Sequence, residues 1–329
     1  MAVPVKSLCT LAISCIIALA VLSCNRPFEP RAPLESKLVV FSILSTDRND
    51  QIVRVEQTYM PSGYDAMAYT ADGFVPNALV TIQDPGNTYV LRDTTFARPD
   101  TSRYKSALRA YVVRPLAISY GASYHVTVRS ASFGEASSSV LVPRRPTLTM
   151  PPTSILMLIT PNAFQDEDEI AFTVDLGTGA KGWIGRFYIC YNVFENGRWF
   201  EDRTPVPIAY IFPKVFSTVV YGELTRAGYN NHSASVYRND VYRKTLVEIL
   251  TDKHPNSRIR FTNALFELVQ VEEGLYNYYR IGHASSDVFS VRLDEPLYTN
   301  LAGGVGVVGA YTLDSLVQAY PENFPFNRD

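Results

Sequence analysis

Residues 300–316 read NLAGGVGVVGAYTLDSL, and Gly304, Gly306 and Gly309 reproduce the G-x-G-x-x-G spacing of a dinucleotide-binding loop. How this stretch is read decides between a doubly wound α/β fold and a β-rich one. A dinucleotide loop works inside a βαβ unit: a strand enters it, a helix opens on its last glycine, and an acid follows about 20 residues on. The residues after Gly309 include Pro321 and Pro325 and offer no second strand, and strand and helix patterns do not alternate elsewhere. The glycines are therefore expected to serve tight packing or backbone turns, where a side chain would collide with a neighbour. No nucleotide is expected.

The chain of 329 residues is long enough for two domains with their own cores, and 47% hydrophobic with 19% charged residues is globular composition. A formal net charge of -2 gives no basic surface for nucleic acid. The 21 Tyr and 17 Phe against 2 Trp favour strands over helical bundles. The fold class expected is mainly β.

Between 37 and 145 short strand-like runs follow one another: 37–44, 51–58, 78–82, 88–91, 124–130 and 136–142. Asp84-Pro85-Gly86-Asn87 is turn chemistry between two of them. This spacing predicts an N-terminal immunoglobulin-like β-sandwich. Pro143-Arg144-Arg145-Pro146 and Pro151-Pro152 mark a boundary. A second, β-rich domain with one or two helices is expected over 146–329. In it 170–176, 184–194 and 258–271 read as strands, and Asn196-Gly197 favours a type I′ hairpin turn before Trp199. Helices are expected over 240–251, with Asp240 as cap, and over 272–283.

The amino terminus has the three-part layout of a secretory signal: Lys6, an apolar run over 8–22, then small residues ending at Cys24. The run is shorter than the roughly 20 apolar residues of a spanning helix. Val21-Leu22-Ser23-Cys24 resembles a bacterial lipobox, whose cysteine is acylated. The expected division is a signal peptide over 1–23, lipidation at Cys24 and a tether over 24–36 containing Pro27, Pro30 and Pro33. The alternative is ordinary cleavage after Ala18-Leu19-Ala20 with Cys24 left as a thiol. With Cys9 and Cys15 in the signal, Cys190 remains alone in a strand pattern and is read as a buried, inert thiol.

No cofactor, metal site or catalytic residue is expected. The acids of Gln165-Asp166-Glu167-Asp168-Glu169 do not follow an EF-hand and read as a solvated loop. His125, His232, His254 and His283 form no zinc motif, and no nucleophile elbow or phosphate loop occurs. Tyr276-Asn277-Tyr278-Tyr279 reads as half-buried scaffold, with sugar stacking as the other use.

The lipobox, the run Pro76-Asn77-Ala78-Leu79-Val80-Thr81-Ile82, the segment Leu275-Tyr276-Asn277-Tyr278-Tyr279 and the glycine-rich stretch 300–310 together resemble the domain of unknown function 4249 family of Bacteroidota lipoproteins. Its most specific part is Asn-x-x-Gly-Gly-x-Gly-x-x-Gly, and Val308 stands where the family commonly carries an aromatic. The resemblance implies an outer-membrane lipoprotein considered alongside TonB-dependent receptors, and it transfers no catalytic residue. The expected function is thus a non-enzymatic envelope lipoprotein, bound to the bilayer through acylated Cys24, with a TonB-dependent receptor as partner. Two alternatives stay open: a glycan-binding module or adhesin, and a glycan-active hydrolase whose carboxylates the fold brings together.

Overall fold

The computed structural model describes residues 34–60, 70–102, 105–211, 218–228, 231–283 and 298–328. Cys24, the signal segment and most of the tether lie outside the described residues. Alternation of apolar and polar positions builds the N-terminal strands β1 (Leu38–Ser45), β2 (Gln51–Gln57), β3 (Leu79–Gln83), β4 (Thr88–Val90), β5 (Arg92–Phe96), β6 (Leu108–Val113), β7 (Ser123–Ser130) and β8 (Gly134–Leu141). Beyond the proline-rich boundary come β9 (Thr147–Thr149), helix α1 (Pro152–Ile159), β10 (Glu169–Asp175), β11 (Gly182–Glu195) and β12 (Arg198–Val206). The chain then forms β13 (Ala209–Ile211), β14 (Thr218–Val220), β15 (Thr225–Arg226), β16 (His232–Arg238) and α2 (Asn239–Glu248). It ends in β17 (Arg258–Val271), α3 (Glu273–His283) and β18 (Gly304–Ala319).

The long sheet runs β12-β11-β17-β18-β1-β2-β6-β5, with β15 also on β11. A four-stranded sheet, β4-β3-β7-β8, faces its β1-β2-β6 end, and a three-stranded sheet, β16-β10-β9, serves the other end. Two cores result. Val40 and Val55 from the long sheet meet Val80, Val126 and Val140 in the first. Phe187, Phe266 and Ile189 meet Phe172, Tyr237 and Leu246 in the second. There Phe172 and Phe266 stack at 4.4 Å, and Phe187 stands edge-on to Tyr237 at 5.2 Å, geometries that add about 0.5–1.5 kcal/mol per pair beyond area burial.

The boundary at 143–152 falls between the two cores, yet the segments on either side share one sheet, and Ser36–Asp329 forms one compact unit. Strand β18 joins them. Its first half pairs in parallel with β1, Leu38 with Gly304 through Ser45 with Tyr311. Its second half pairs antiparallel with β17, Val271 with Tyr311 through Asn263 with Ala319. Gln270, fully buried, seals the joint: its Oε1 accepts from Gly177 N at 2.6 Å, and its Nε2 donates to Thr312 Oγ1 at 2.9 Å and Arg144 O at 3.3 Å. Asp314 accepts from Arg145 Nε at 3.0 Å and Tyr120 OH at 3.1 Å across the same line.

The expected hairpin turn is present, with positive φ at Asn196 (51°) and Gly197 (79°). Among the described residues there are three α-helices; α1 had no sequence signal beyond its prolines. The middle helix begins one residue before the expected Asp240, which lies in its first turn, 2.9 Å from Arg238, while N-cap Arg238 makes no side-chain cap. It continues as a π-turn, Ile249–Lys253.

Gly306 decides whether β18 can lie against β1. Its φ is 117°, and a Cβ there would run into the Val40 carbonyl of the neighbouring strand. Gly306→Ala is expected to cost about 2–4 kcal/mol, combining backbone strain with overpacking. Gly86→Ala, whose Cβ meets only Asp84 at 3.6 Å, should stay within about 1 kcal/mol. Urea denaturation midpoints compare the two; equal midpoints would refute the packing role.

Candidate functional site

A cleft of about 270 Å³ opens at the edge of the long sheet, with Arg186, Phe187, Tyr188, Pro205, Tyr221 and Tyr237 in its wall. It exists because the edge of β11 is paired unevenly. Strand β12 leaves β11 at Phe187, paired with Val206, and β15 joins only at Trp183, paired with Thr225. Gly222 crosses the gap so closely that a Cβ would stand 2.5 Å from Gly185 O, which brings half-exposed Tyr221 to the rim. Phe187 and Tyr237 are buried parts of the second core, so the chemistry this wall offers a ligand is that of Tyr188, Tyr221 and the Arg186 guanidinium.

Further along β11 lies an exposed cluster of rings and arginines. Phe194 and Trp199 sit 5.2 Å apart across the hairpin, with Arg258 5.3 Å from the Phe194 centroid and Arg260 5.2 Å from that of Trp199. Arg203 lies 4.4 Å over Tyr188 and pairs with Glu267 at 2.8 Å.

Behind this surface a polar network fastens the hairpin. Tyr191 OH donates to Asp202 Oδ2 at 3.0 Å and lies 3.0 Å from Thr204 Oγ1, to which Lys253 Nζ donates at 2.9 Å. Burial pushes the Tyr191 hydroxyl up to about 12, so it stays protonated and able to donate throughout the neutral range. His254 Nδ1 is 3.1 Å from Glu195 Oε1.

The residues singled out by sequence fall elsewhere. Gly304, Gly306 and Gly309 lie inside β18, not in a loop before a helix. A Cβ at Gly309 would stand 2.8 Å from Leu275 Cβ and 3.1 Å from Glu272 Oε1. Asn300 pairs with the strand as if it were backbone: its Nδ2 donates to Val308 O at 2.6 Å and its Oδ1 accepts from Val308 N at 3.0 Å. Buried Glu272 accepts from Gly274 N at 2.5 Å and Leu275 N at 2.6 Å, capping α3 with its own carboxylate.

The acidic loop is held locally, Asp168 accepting from Gln165 N at 2.8 Å and Asp166 from Arg243 at 2.8 Å. His125 contacts Ser139 at 2.9 Å and His232 contacts Asp175 at 2.6 Å, while the His283 side chain lies outside the described residues. Among the described residues no group of three or more His, Cys, Asp or Glu could hold a metal ion. Cys190 is half-buried on the outer face, its thiol pushed up by burial. Tyr278 packs edge-on to Phe41 at 6.2 Å and to Tyr279 at 5.8 Å on α3. The ring and arginine cluster escaped sequence reading because 186–203 and 258–260 meet only through strand register.

A family model described as Domain of unknown function (DUF4249) matches residues 25–316. The chain belongs to the DUF4249 family. The glycine-rich stretch singled out in sequence falls within that match, and in this DUF4249 member it is a packing device. No curated protein matches the chain. Two Escherichia coli alpha-2-macroglobulin structures are similar to parts of it. The trypsin-activated form matches at 12% identity and a TM-score of 0.19, over 75% of this chain and 15% of that one. The native form matches at 11% identity and a TM-score of 0.21, over 91% and 15%. The DUF4249 chain thus spans 15% of the length of each.

Glu272 gives the motif a pH signature. Burial holds its carboxyl above the ordinary glutamate value of 4.5, against the lowering effect of its backbone hydrogen bonds. The native state then binds more proton than the unfolded chain above that value, so this group's contribution to stability falls as pH rises through the window. Glu272→Gln should flatten the melting temperature against pH from 4.5 upward relative to the parent. Parallel curves for the two proteins would show that Glu272 does not titrate in that window.

Proposed function

We propose that the chain is a lipid-anchored, non-enzymatic binding protein of the cell envelope, held at the outer membrane through acylated Cys24 and acting as accessory to a TonB-dependent receptor. What carries the reading is Val21-Leu22-Ser23-Cys24 followed by a proline-spaced segment that leads directly into a compact body beginning at Ser36. Several acyl chains contribute about 0.8 kcal/mol per buried methylene, enough for stable attachment. Among the described residues no helix is long and apolar enough to cross a membrane. The body supports a binding role through the ring-lined cleft and the exposed cluster beside it, both on long, well-paired strands. A glycan-binding module is the second reading, favoured by the 5.2 Å pair of Phe194 and Trp199 with arginines over them.

Membrane fractionation of the parent and Cys24→Ala forms tests the anchor: the parent is expected in the outer-membrane fraction and the variant in the soluble one. Retention of the variant in the membrane would end the lipid-anchor reading. Mild-detergent purification of the parent is expected to recover a β-barrel receptor in stoichiometric amount, and recovery of the chain alone would remove the accessory role.

A further inference from the structure

Strands β11, β12 and β17 turn one face into the second core and the other to solvent. On β11, Phe187, Ile189, Tyr191 and Val193 point inward, so Arg186, Tyr188 and Phe194 project from the opposite side. Register sets Phe194 between Trp199 and Arg258, and Tyr188 between Pro205 and Leu265. The outer face therefore carries a sequence of stations. At the hairpin end Trp199 and Phe194 are crossed by Arg258 and Arg260. Next comes Tyr188 under Arg203, and last Arg186 beside Tyr221 at the cleft. Phe194 and Tyr188 are separated by roughly 20 Å of strand.

The charge on this face is cationic: Arg186, Arg203, Arg258 and Arg260 against Glu201 and Glu267, of which Glu267 is engaged with Arg203. Among the described residues Arg258 contacts ring faces and pairs with no carboxylate. Aromatic faces spaced with guanidinium forks suit a polymer that presents a flat apolar ring face and a carboxylate at every unit. We propose that this face is a binding track for an acidic saccharide chain of the uronate type, stacked on Trp199 and Tyr188 and held by Arg258, Arg260 and Arg186.

Two other polyanions fit less well. A net charge of -2 lacks the long-range field with which nucleic-acid binders gather a phosphate backbone. A lipid surface is disfavoured by position, for which the proposal rests on the anchored reading. The first strand of the body starts at Leu38, beside Gly304, whereas the hairpin lies beyond the other end of the 16-residue β18, about 50 Å away by strand rise. The site is also built on rigid elements. Glu195 holds His254 at 3.1 Å and Ser257 at 3.3 Å, directly before Arg258. Arg328 donates to Leu250 O at 2.9 Å, Ser257 O at 2.8 Å and Pro255 O at 3.2 Å beneath the same loop.

Titration calorimetry of the detergent-solubilised full chain tests the track, using a hexagalacturonate, a digalacturonate, a neutral glucan hexasaccharide, phosphatidylglycerol vesicles and a single-stranded oligonucleotide. The hexagalacturonate should bind about tenfold more tightly than the digalacturonate and the neutral hexasaccharide, and weaken with added salt. Trp199→Ala and Arg258→Gln should each lower that affinity about tenfold at unchanged melting temperature. Because Arg258→Gln removes the charge and leaves both the Phe194 and Trp199 rings in place, it reads the charge even where Trp199→Ala disturbs the hairpin. Equal affinity for the neutral sugar, binding of vesicles or oligonucleotide without the uronate, or an unaffected Arg258→Gln would each overturn the proposal. The Cys24→Ala form should bind the hexagalacturonate like the parent. Failure of the anchor alone would therefore leave the track standing, and failure of binding would leave the anchor.

Discussion

The approach of β18 to β1 is the contact on which the rest of the architecture hangs. Parallel neighbours lie about 4.8 Å apart, and at Val40 the carbonyl occupies the space that a Cβ at Gly306 would need. Once that approach is made, Val308 and Ala310 close the first core, and the same strand continues past Tyr311 along β17 to border the second. Two sandwiches are thereby fused edge to edge through one strand instead of being joined by a linker. A displacement of β18 would be felt in both cores, which gives the glycine segment a structural importance out of proportion to its side-chain content.

The polar groups beside that strand follow the same logic. A buried carboxylate is costly unless its oxygens are satisfied, and Glu272 meets the condition by accepting the first free amides of α3. Asn300 uses its amide as an extra strand residue, pairing with both backbone groups of Val308. In each case a side chain replaces a missing backbone partner, so the irregular entry into β18 buries few unsatisfied groups. Val308 itself is fully buried, and a larger ring at that position would need a differently shaped first core.

Periodicity made much of the fold legible. The runs at 51–58, 170–176, 184–194 and 258–271 become β2, β10, β11 and β17 within a residue or two at each end, because alternating burial leaves a period-two trace. Asn196-Gly197 was readable because few other pairs tolerate two positive φ values. The longest strand, β18, was hidden by its own glycines, which have poor strand propensity and resemble a loop motif. Helix α1 was masked by Pro151 and Pro152, read as punctuation although proline is at home in a first helical turn. The compact tyrosine cluster at 276–279 drew the eye in sequence, yet Tyr278 leans on Phe41. The ring and arginine face was invisible because its members are dispersed over 186–260 and are assembled only by register.

That dispersal also bears on function. A surface composed from three long strands, of which β11 and β17 are paired on both sides and β12 along one, cannot rearrange cheaply, so its rings and cations are positioned before any ligand arrives. Preorganisation of this kind lowers the ordering cost of binding and suits recognition of an extended, repeating partner better than closure around a small one. The cleft at the end of the track differs in kind, since it is a gap in strand pairing bordered by Tyr221 and Gly222. Rigid stations along the strand and a less regular pocket at its end together make a surface with directional polarity, on which a chain would enter at one end and be held at the other.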